Sequence, residues 1–402
     1  MPFLAALGIR LADQIRNRAR LMLVFVNHSN SMPKAMQLKK DVDLTVMTHE
    51  LRTIAALGCG MLLIGACLLG FAANWAVAWR WLLQAGLLWA YVCLCCARRL
   101  ALNRASAESP LYEYLGWGNR LTILRGGLIA LTGGFLFTDQ DTDFNVLAPA
   151  LLYTLAAILD RLDGFVARRS RQVSLLGNEL DISFDALGLV VAPLLAIGSG
   201  RLHWSYLLLS VAYYVYRWGL QRRVKLGLPV YALPPNPLRR TLAGFQMGFI
   251  AVVLWPLLDP AMTAIAGIAF MLPVLFGFVM DWWVVCGKIK PQTYSGLAEW
   301  SVQFFQPGLR VLLALLFLMP PDPADASYAA LLFGAGLILS GLAGRLGALS
   351  VIVLLGWHYP AGVDPVVNAV RIFAASWILL LGTGRFSLWQ WGDEWIQRYD
   401  GA

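Results

Sequence analysis

The sequence carries little charge for its length. Charged residues make up 14% of its 402 residues, whereas about 25% is usual in a soluble globular domain. Apolar residues make up 59%, against roughly 45–50% in such a domain. This composition excludes a disordered chain and argues against an ordinary soluble globule. It predicts an all-α polytopic membrane protein.

Residues that often bind zinc or act as nucleophiles are also scarce. The chain has four histidines, which are scattered, and six cysteines, which lie in or beside apolar runs. No cysteine or histidine set has the spacing of a metal site. No Walker-type loop and no Ser–His–acid arrangement occurs either. These absences leave the carboxylates as the side chains most able to carry chemistry.

Twelve apolar runs are long enough, or nearly so, to cross a bilayer core of about 30 Å. The run 345–358 is the shortest. The runs cover about 51–72, 75–97, 119–138, 145–163, 181–199, 203–219, 241–258, 263–286, 303–319, 327–343, 345–358 and 366–383. Because lysine and arginine concentrate before the first run and in every second loop, both termini are expected in the cytoplasm. This rule also accounts for the net charge of +9.

The runs suggest a division of the chain into four segments. Residues 1–48 form a basic cytoplasmic or interfacial segment, and 49–100 form a two-helix transmembrane hairpin. Residues 101–290 form a six-helix core, and 291–402 form a four-helix membrane domain. In the first segment Leu11, Ile15, Ala19 and Met22 recur at helical spacing. That segment is either an interfacial amphipathic helix or a soluble basic arm.

Four carboxylates lie at the adjoining ends of two neighbouring runs. Asp160 and Asp163 close one run, and Asp181 and Asp185 open the next. Residues three or four apart share one face of a helix, so all four side chains are expected to converge at the cytoplasmic surface. Ionisable residues within membrane spans are costly and usually functional.

Two divalent cations would neutralise these four acids. Oxygen ligands without histidine or cysteine suit Mg²⁺ or Mn²⁺, and paired ions of this kind serve displacement at phosphorus. Gly164 and Gly177 allow close backbone approach, and Arg168 offers a fixed cation to phosphate oxygens. Two alternatives remain open. The acids could form solvated ion pairs with neighbouring arginines, or they could form the site of a cation-coupled transporter.

The stretch 160–185 resembles the signature of a known family. It follows D-x2-D-G-x2-A-R-x8-G-x3-D-x3-D at all eight fixed positions, which is the pattern of the CDP-alcohol phosphatidyltransferases. Asn119, Thr122 and Arg125 are similar to the Asn-x-x-Thr-x-x-Arg stretch that opens the family's first core helix. The resemblance covers about 101–290 and includes a basic stretch before the fifth core helix.

The resemblance implies transfer of a phosphatidyl group from a CDP-linked lipid, such as CDP-diacylglycerol, to an acceptor hydroxyl, with release of CMP. The acceptor would be a small polar or phosphorylated alcohol. The implied metal ligands are Asp160, Asp163, Asp181 and Asp185, and Asp185 is also the implied general base. The implied CDP-binding residues are Gly164, Ala167, Arg168, Ser174, Asn119 and Thr122. The implied acceptor-binding residues are Arg239 and Arg240.

The resemblance also sets expectations about setting and partners. It implies an integral protein of a bacterial inner membrane with its site at the cytoplasmic face, phospholipid biosynthesis, and a possible homodimer. No nucleic acid is expected as a partner. Residues from about 300 to 402 weakly resemble the DoxX-like membrane family. Four arginines there are expected to be snorkelling anchors rather than ligands, namely Arg310, Arg345, Arg371 and Arg385. The competing hypothesis is a non-catalytic transporter or scaffold with a divalent-cation site.

Overall fold

The computed structural model describes residues 34–138, 142–233, 237–318, 326–357 and 364–389. Within these ranges the only β-type pairing is one isolated bridge between Leu342 and Trp389. The predicted amphipathic segment with Leu11, Ile15, Ala19 and Met22 lies outside the described residues. The α-helices are α1 (Lys34–Ala72), α2 (Trp75–Ala97), α3 (Gly116–Gly133), α4 (Asp143–Arg169), α5 (Leu175–Gly198), α6 (Leu207–Lys225), α7 (Pro237–Val253), α8 (Pro260–Val285), α9 (Pro291–Trp300), α10 (Gln306–Phe317), α11 (Ala326–Ser340), α12 (Gly344–Trp357) and α13 (Pro365–Leu381).

Each of the twelve predicted runs corresponds to a helix, so the all-α membrane fold is confirmed. The ninth run is composite, because a π-helical turn at Ser301–Phe305 joins α9 to α10. Among the described residues, five helical stretches are long and apolar enough to cross a membrane, judged by length and composition only. They are Leu44–Ala72, Trp75–Ala97, Leu175–Gly198, Pro260–Val285 and Gly296–Phe317. Four other apolar helical stretches are shorter, namely Thr241–Val253, Ala329–Ser340, Gly344–Trp357 and Pro365–Leu381.

The described chain divides into two compact units. The first contains α1 to α5 together with Ile250–Trp255, and the second contains the remainder from Gly200 onward. In the first unit α1 packs on α2, and α3 contacts α2, α4 and α5. Trp255 belongs to this unit, where its Nε1 donates to Thr154 Oγ1 at 2.9 Å. The predicted four-segment division stays a prediction.

In the second unit two arginines are buried rather than exposed to lipid. Arg310 is 4% exposed and Arg371 is 1% exposed. Arg310 Nε donates to the carbonyl of Ile338 at 2.8 Å, and Arg371 Nη2 donates to that of Leu316 at 2.7 Å. These carbonyls lie near helix C-terminal ends, where the last carbonyls lack partners within the helix. The expectation of snorkelling anchors is therefore wrong for both residues.

Candidate active site

The four acids of the signature lie near the C-terminal end of α4 and the N-terminal end of α5. Thr142 caps the N-terminus of α4, its Oγ1 accepting from the amide of Asn145 at 3.3 Å. Arg168 and Arg169 lie in the last turn of α4, where positive side chains complement the helix dipole. Ser174 then caps α5. The short connection brings the end of α4 and the start of α5 close together.

Three of the four predicted metal ligands form one cluster. Asp160, Asp181 and Asp185 each offer a carboxylate oxygen, and these oxygens lie within 4.8 Å of one another. The Asp160 and Asp185 side chains are almost completely buried, whereas Asp181 is 22% exposed. Asp181 is therefore the member of this three-carboxylate cluster that solvent reaches most easily.

Asp163 has other partners and does not belong to the three-carboxylate cluster. Its Oδ2 accepts from Thr122 Oγ1 at 2.9 Å, and its Oδ1 accepts from the amide of Gly164 at 2.6 Å. Thr122 and Asp163 thus meet across the α3–α4 contact, as expected for two residues of one site. Asp163 as a metal ligand stays a prediction.

Arg125 on α3 lies among the three carboxylates. Its guanidinium is completely buried and forms an ion pair with Asp160. Its Nη2 lies 3.0 Å from Asp181 Oδ1, and its Nη1 lies 3.1 Å from Asp185 Oδ1. Because α3 contacts both α4 and α5, one arginine reaches acids from both helices. Arg125 is thus the counter-ion of the cluster.

Arg125 matches the family pattern in the sequence, but no role in the site was predicted for it. A signal was nevertheless present, because Asn119, Thr122 and Arg125 follow a three-residue spacing. Such a spacing keeps side chains on one side of a helix over two turns. Two of the three were assigned to the site, so the third could have been placed there as well.

The three-carboxylate cluster fits a hard divalent cation. Asp160 Oδ2 and Asp185 Oδ2 are buried and have no hydrogen-bond partner among the described residues, and Asp185 Oδ1 faces Nη1 of Arg125 at 3.1 Å. Buried carboxylate oxygens normally have a partner, because leaving them without one is costly. Oxygens of this kind at this separation are the ligands that Mg²⁺ and Mn²⁺ prefer. The geometry fits one ion, and the second ion stays a prediction.

A buried polar network connects the starts of α3 and α5. Asn119 Oδ1 accepts from Ser174 Oγ at 3.1 Å, and Asn119 Nδ2 donates to Asn103 Oδ1 at 2.9 Å. At Gly177 an added Cβ would lie 2.5 Å from Asn119 Oδ1, so the signature glycine permits this approach. Asn103 is fully buried and was missed, because nothing in the spacing of its loop marks it.

The remaining predicted CDP-binding residues lie along the last turns of α4. An added Cβ at Gly118 would lie 2.6 Å from the Cβ of Ala167, so Ala167 lies at the close contact between α3 and α4. Arg168 is exposed, and its Nη1 lies 3.3 Å from where a Cβ of Gly164 would be. The guanidinium therefore lies beside Gly164, where an anion could approach both. Binding of CDP by these residues stays a prediction.

The two predicted acceptor-binding arginines lie on α7, in the second unit. Arg239 is 4% exposed, and its Nη2 lies 2.8 Å from Asp281 Oδ1. This ion pair joins α7 to α8 and was not predicted from the sequence. The side chain of Arg240 lies outside the described part of the structure. Acceptor binding by either residue stays a prediction.

Replacing Ser174 by alanine is expected to destabilise the start of α5. The variant loses the hydroxyl that accepts from the amide of Gly177 at 3.0 Å, and loss of such a cap costs about 1 kcal/mol. Thermal unfolding of the full-length chain measures this loss. Threonine at the same position keeps the hydroxyl and is the control. A Thr variant as unstable as the Ala variant would contradict the capping role.

Comparison with known proteins assigns the central region. Residues 117–286 match the CDP-alcohol phosphatidyltransferase family. The match covers α3 to α8, somewhat less than half of the chain, and includes the three-carboxylate cluster and Arg125. It supports transfer of a phosphatidyl group from a CDP-alcohol within an integral membrane protein. No curated protein and no solved structure matches the chain. The DoxX-like resemblance of the last region stays a prediction.

Proposed function

We propose that the chain transfers a phosphatidyl group from CDP-diacylglycerol to the hydroxyl of a small polar or phosphorylated alcohol and releases CMP. The observation that carries this proposal is the buried cluster of Asp160, Asp181 and Asp185 inside a region that matches the CDP-alcohol phosphatidyltransferases. We further propose phospholipid biosynthesis at the cytoplasmic face of a bacterial inner membrane. A homodimer is the proposed assembly.

Asp160, Asp181 and Asp185 are proposed to hold Mg²⁺ or Mn²⁺, with Asp163 contributing to a second ion. Bound divalent cations would stabilise negative charge on the phosphate oxygens and on the departing CMP. The chain's own contribution is the placement of the ligands. Arg125 holds acids of α4 and α5 at fixed separations, so the oxygens are arranged before the substrate arrives.

Asp185 is the proposed general base. In the proposed reaction the acceptor oxygen forms a bond to the phosphorus that carries the lipid, and the bond from that phosphorus to the oxygen of CMP breaks. The acceptor proton passes to a carboxylate oxygen of Asp185. Its Oδ2 has no hydrogen-bond donor among the described residues, so this oxygen can accept a proton without first losing a partner.

The donor is proposed to lie beside the exposed end of α4. Gly164 leaves room for the diphosphate, and the adjacent guanidinium of Arg168 pairs with its oxygens. Asn119, Thr122, Ser174 and Ala167 are proposed to shape the cytidine side of the pocket, and Arg239 and Arg240 to bind the acceptor. A site at the membrane surface lets the lipid enter from the bilayer and the alcohol enter from water.

The proposal is tested by measuring CMP release from the purified full-length chain. The protein is supplied with CDP-diacylglycerol, Mn²⁺ and a panel of acceptors containing serine, inositol, glycerol phosphate and inositol phosphate. We expect CMP to be released only when the metal and one particular acceptor are both present. Mass spectrometry of the product then identifies the lipid formed. Metal binding without CMP release for any acceptor would instead favour the transporter or scaffold hypothesis.

Replacing Arg168 by alanine is expected to raise the KM for CDP-diacylglycerol by about tenfold, the effect of losing roughly 1.4 kcal/mol of binding. The reason is the lost charge-assisted contact with the diphosphate. The KM for the acceptor is expected to stay near the wild-type value. Arg169→Ala is the matched control, since Arg169 is also exposed in the last turn of α4. Equal KM values for the donor in wild type and Arg168→Ala would contradict the assignment.

A further inference from the structure

A groove of about 540 Å³ lies between α1 and α3 in the first unit. Its volume is within the range of about 300–1,000 Å³ found for ligand pockets. The groove uses Arg120, Ile123, Leu124, Gly127 and Leu131 of α3, whose spacing of three and four residues defines one face of a helix. Asn119, Thr122 and Arg125 of the candidate active site lie on the other face. One helix therefore separates the groove from the three-carboxylate cluster.

The groove is polar at one end only. Glu50 and Arg120 lie at this end, where Arg120 Nε donates to Glu50 Oε1 at 2.6 Å. Glu50 Oε2 also accepts from the amide of Leu115 at 3.1 Å. The two terminal nitrogens of Arg120 have no hydrogen bond among the described residues, and the exposed His49 lies nearby on the groove wall. The guanidinium of Arg120 also lies 4.7 Å from the centre of the Trp117 ring. The mouth thus offers the terminal nitrogens of Arg120 and the imidazole of His49 as donors to a phosphate.

The rest of the groove is apolar and has the depth of one membrane leaflet. From Arg120 to Leu131 the eleven intervening steps along α3 correspond to about 16 Å at 1.5 Å per residue. One leaflet of a bilayer core about 30 Å thick measures about 15 Å. Ile54 and Met61 of α1 line one wall, and Trp89 of α2 lies between α1 and α3 as the floor, with its Nε1 donating to the carbonyl of Ala55 at 3.3 Å.

We propose that this groove binds a bilayer phospholipid, with its phosphate at Arg120 and His49 and one acyl chain between α1 and α3. The polar mouth, the apolar depth and the match to one leaflet all correspond to such a molecule. The occupant is a resident lipid and not the reacting donor, because the carboxylates lie on the other face of α3. The α1–α2 hairpin, which precedes the family match, then acquires a role in forming this site.

Photolabelling tests the proposal. The full-length chain is placed in nanodiscs of phosphatidylcholine that contain a phosphatidylethanolamine with a diazirine near the end of one acyl chain. Labelled residues are then mapped by mass spectrometry. Labels are expected to concentrate on the groove faces of α1 and α3. Labels that also fall equally on Leu63 of α1 and Leu83 of α2, which are 58% and 65% exposed and do not line the groove, would overturn the proposal.

Two tryptophan variants on α1 provide a matched comparison. Ile54→Trp fills the groove and is expected to lower groove labelling by about tenfold, the effect of losing roughly two buried methylene contacts. Leu63→Trp adds the same side chain on the other face of α1, where Leu63 is 58% exposed, and is expected to leave groove labelling unchanged. Equal groove labelling in both variants would overturn the proposal. Because the wild-type label map is decisive by itself, the test survives a variant that fails to fold.

Competition separates a resident lipid from the donor. An excess of CDP-diacylglycerol with Mn²⁺ is expected to leave groove labelling of the wild type unchanged. Loss of labelling under these conditions would show that the groove accepts the donor and would overturn its assignment as a separate lipid site. Failure of the proposed transferase activity would not affect either labelling experiment.

Discussion

Replacing Asp185 by asparagine is expected to lower the rate of CMP release by about 10²–10⁴-fold, the usual contribution of a general base. The amide cannot accept the proton of the acceptor hydroxyl. It also removes one negative charge from the cluster that Asp185 forms with Asp160 and Asp181. The purified chain in lipid, with CDP-diacylglycerol, Mn²⁺ and the active acceptor, supplies the measurement.

Glu179→Gln is the matched control for this variant. Glu179 is a largely buried acid on the same helix, 3.6 Å from Arg99, and it is not part of the three-carboxylate cluster. Neutralising it is expected to leave CMP release near the wild-type rate. If the two variants were equally inactive, loss of charge on α5 would explain the effect, and the assignment of Asp185 as the base would be wrong. An Asp185→Asn variant of wild-type activity would contradict it directly.

The acids of the site could be predicted from the sequence because their spacing is local. Asp160 lies in the last turns of one apolar run and Asp181 in the first turns of the next, so helix periodicity and the positive-inside rule bring them to one membrane surface. The structure confirms the meeting of Asp160, Asp181 and Asp185. The hydrogen-bond and ion-pair partners of these acids could not be predicted from spacing, because they depend on how the helices pack together.

Arg125 illustrates this limit. It precedes Asp160 by 35 residues, and only the packing of α3 against both α4 and α5 brings its guanidinium to the cluster. Asp163 was predicted to join the other three acids, but packing gives it different partners. Its oxygens accept from Thr122 and from the amide of Gly164. The expectation that Arg310 and Arg371 are snorkelling anchors was likewise wrong, because both side chains are buried. An apolar run identifies a membrane helix but does not show which side faces lipid and which faces neighbouring helices.

Replacing Arg125 by glutamine is expected to destabilise the protein by about 3–5 kcal/mol, the cost of breaking a buried ion pair by removing one partner. The completely buried guanidinium faces acids from two helices, and its loss leaves their charges without a counter-ion. Arg120→Gln is the control, because Arg120 lies on the same helix in a partly exposed pair with Glu50. Exposed pairs contribute only about 0–1 kcal/mol. Thermal unfolding of the full-length chain in detergent compares the two.

Added Mn²⁺ turns this comparison into a test of the metal site. In Arg125→Gln a bound cation would take over the neutralisation of Asp160, Asp181 and Asp185, so Mn²⁺ is expected to raise the unfolding midpoint of this variant more than that of the wild type. A ligand that binds only the folded state stabilises it by about 2.7 kcal/mol at 100 times its Kd, enough to restore much of the loss.

Equal destabilisation of Arg125→Gln and Arg120→Gln would show that the cluster needs no internal cation. A midpoint insensitive to Mn²⁺ in every variant would show that the three carboxylates do not hold the ion.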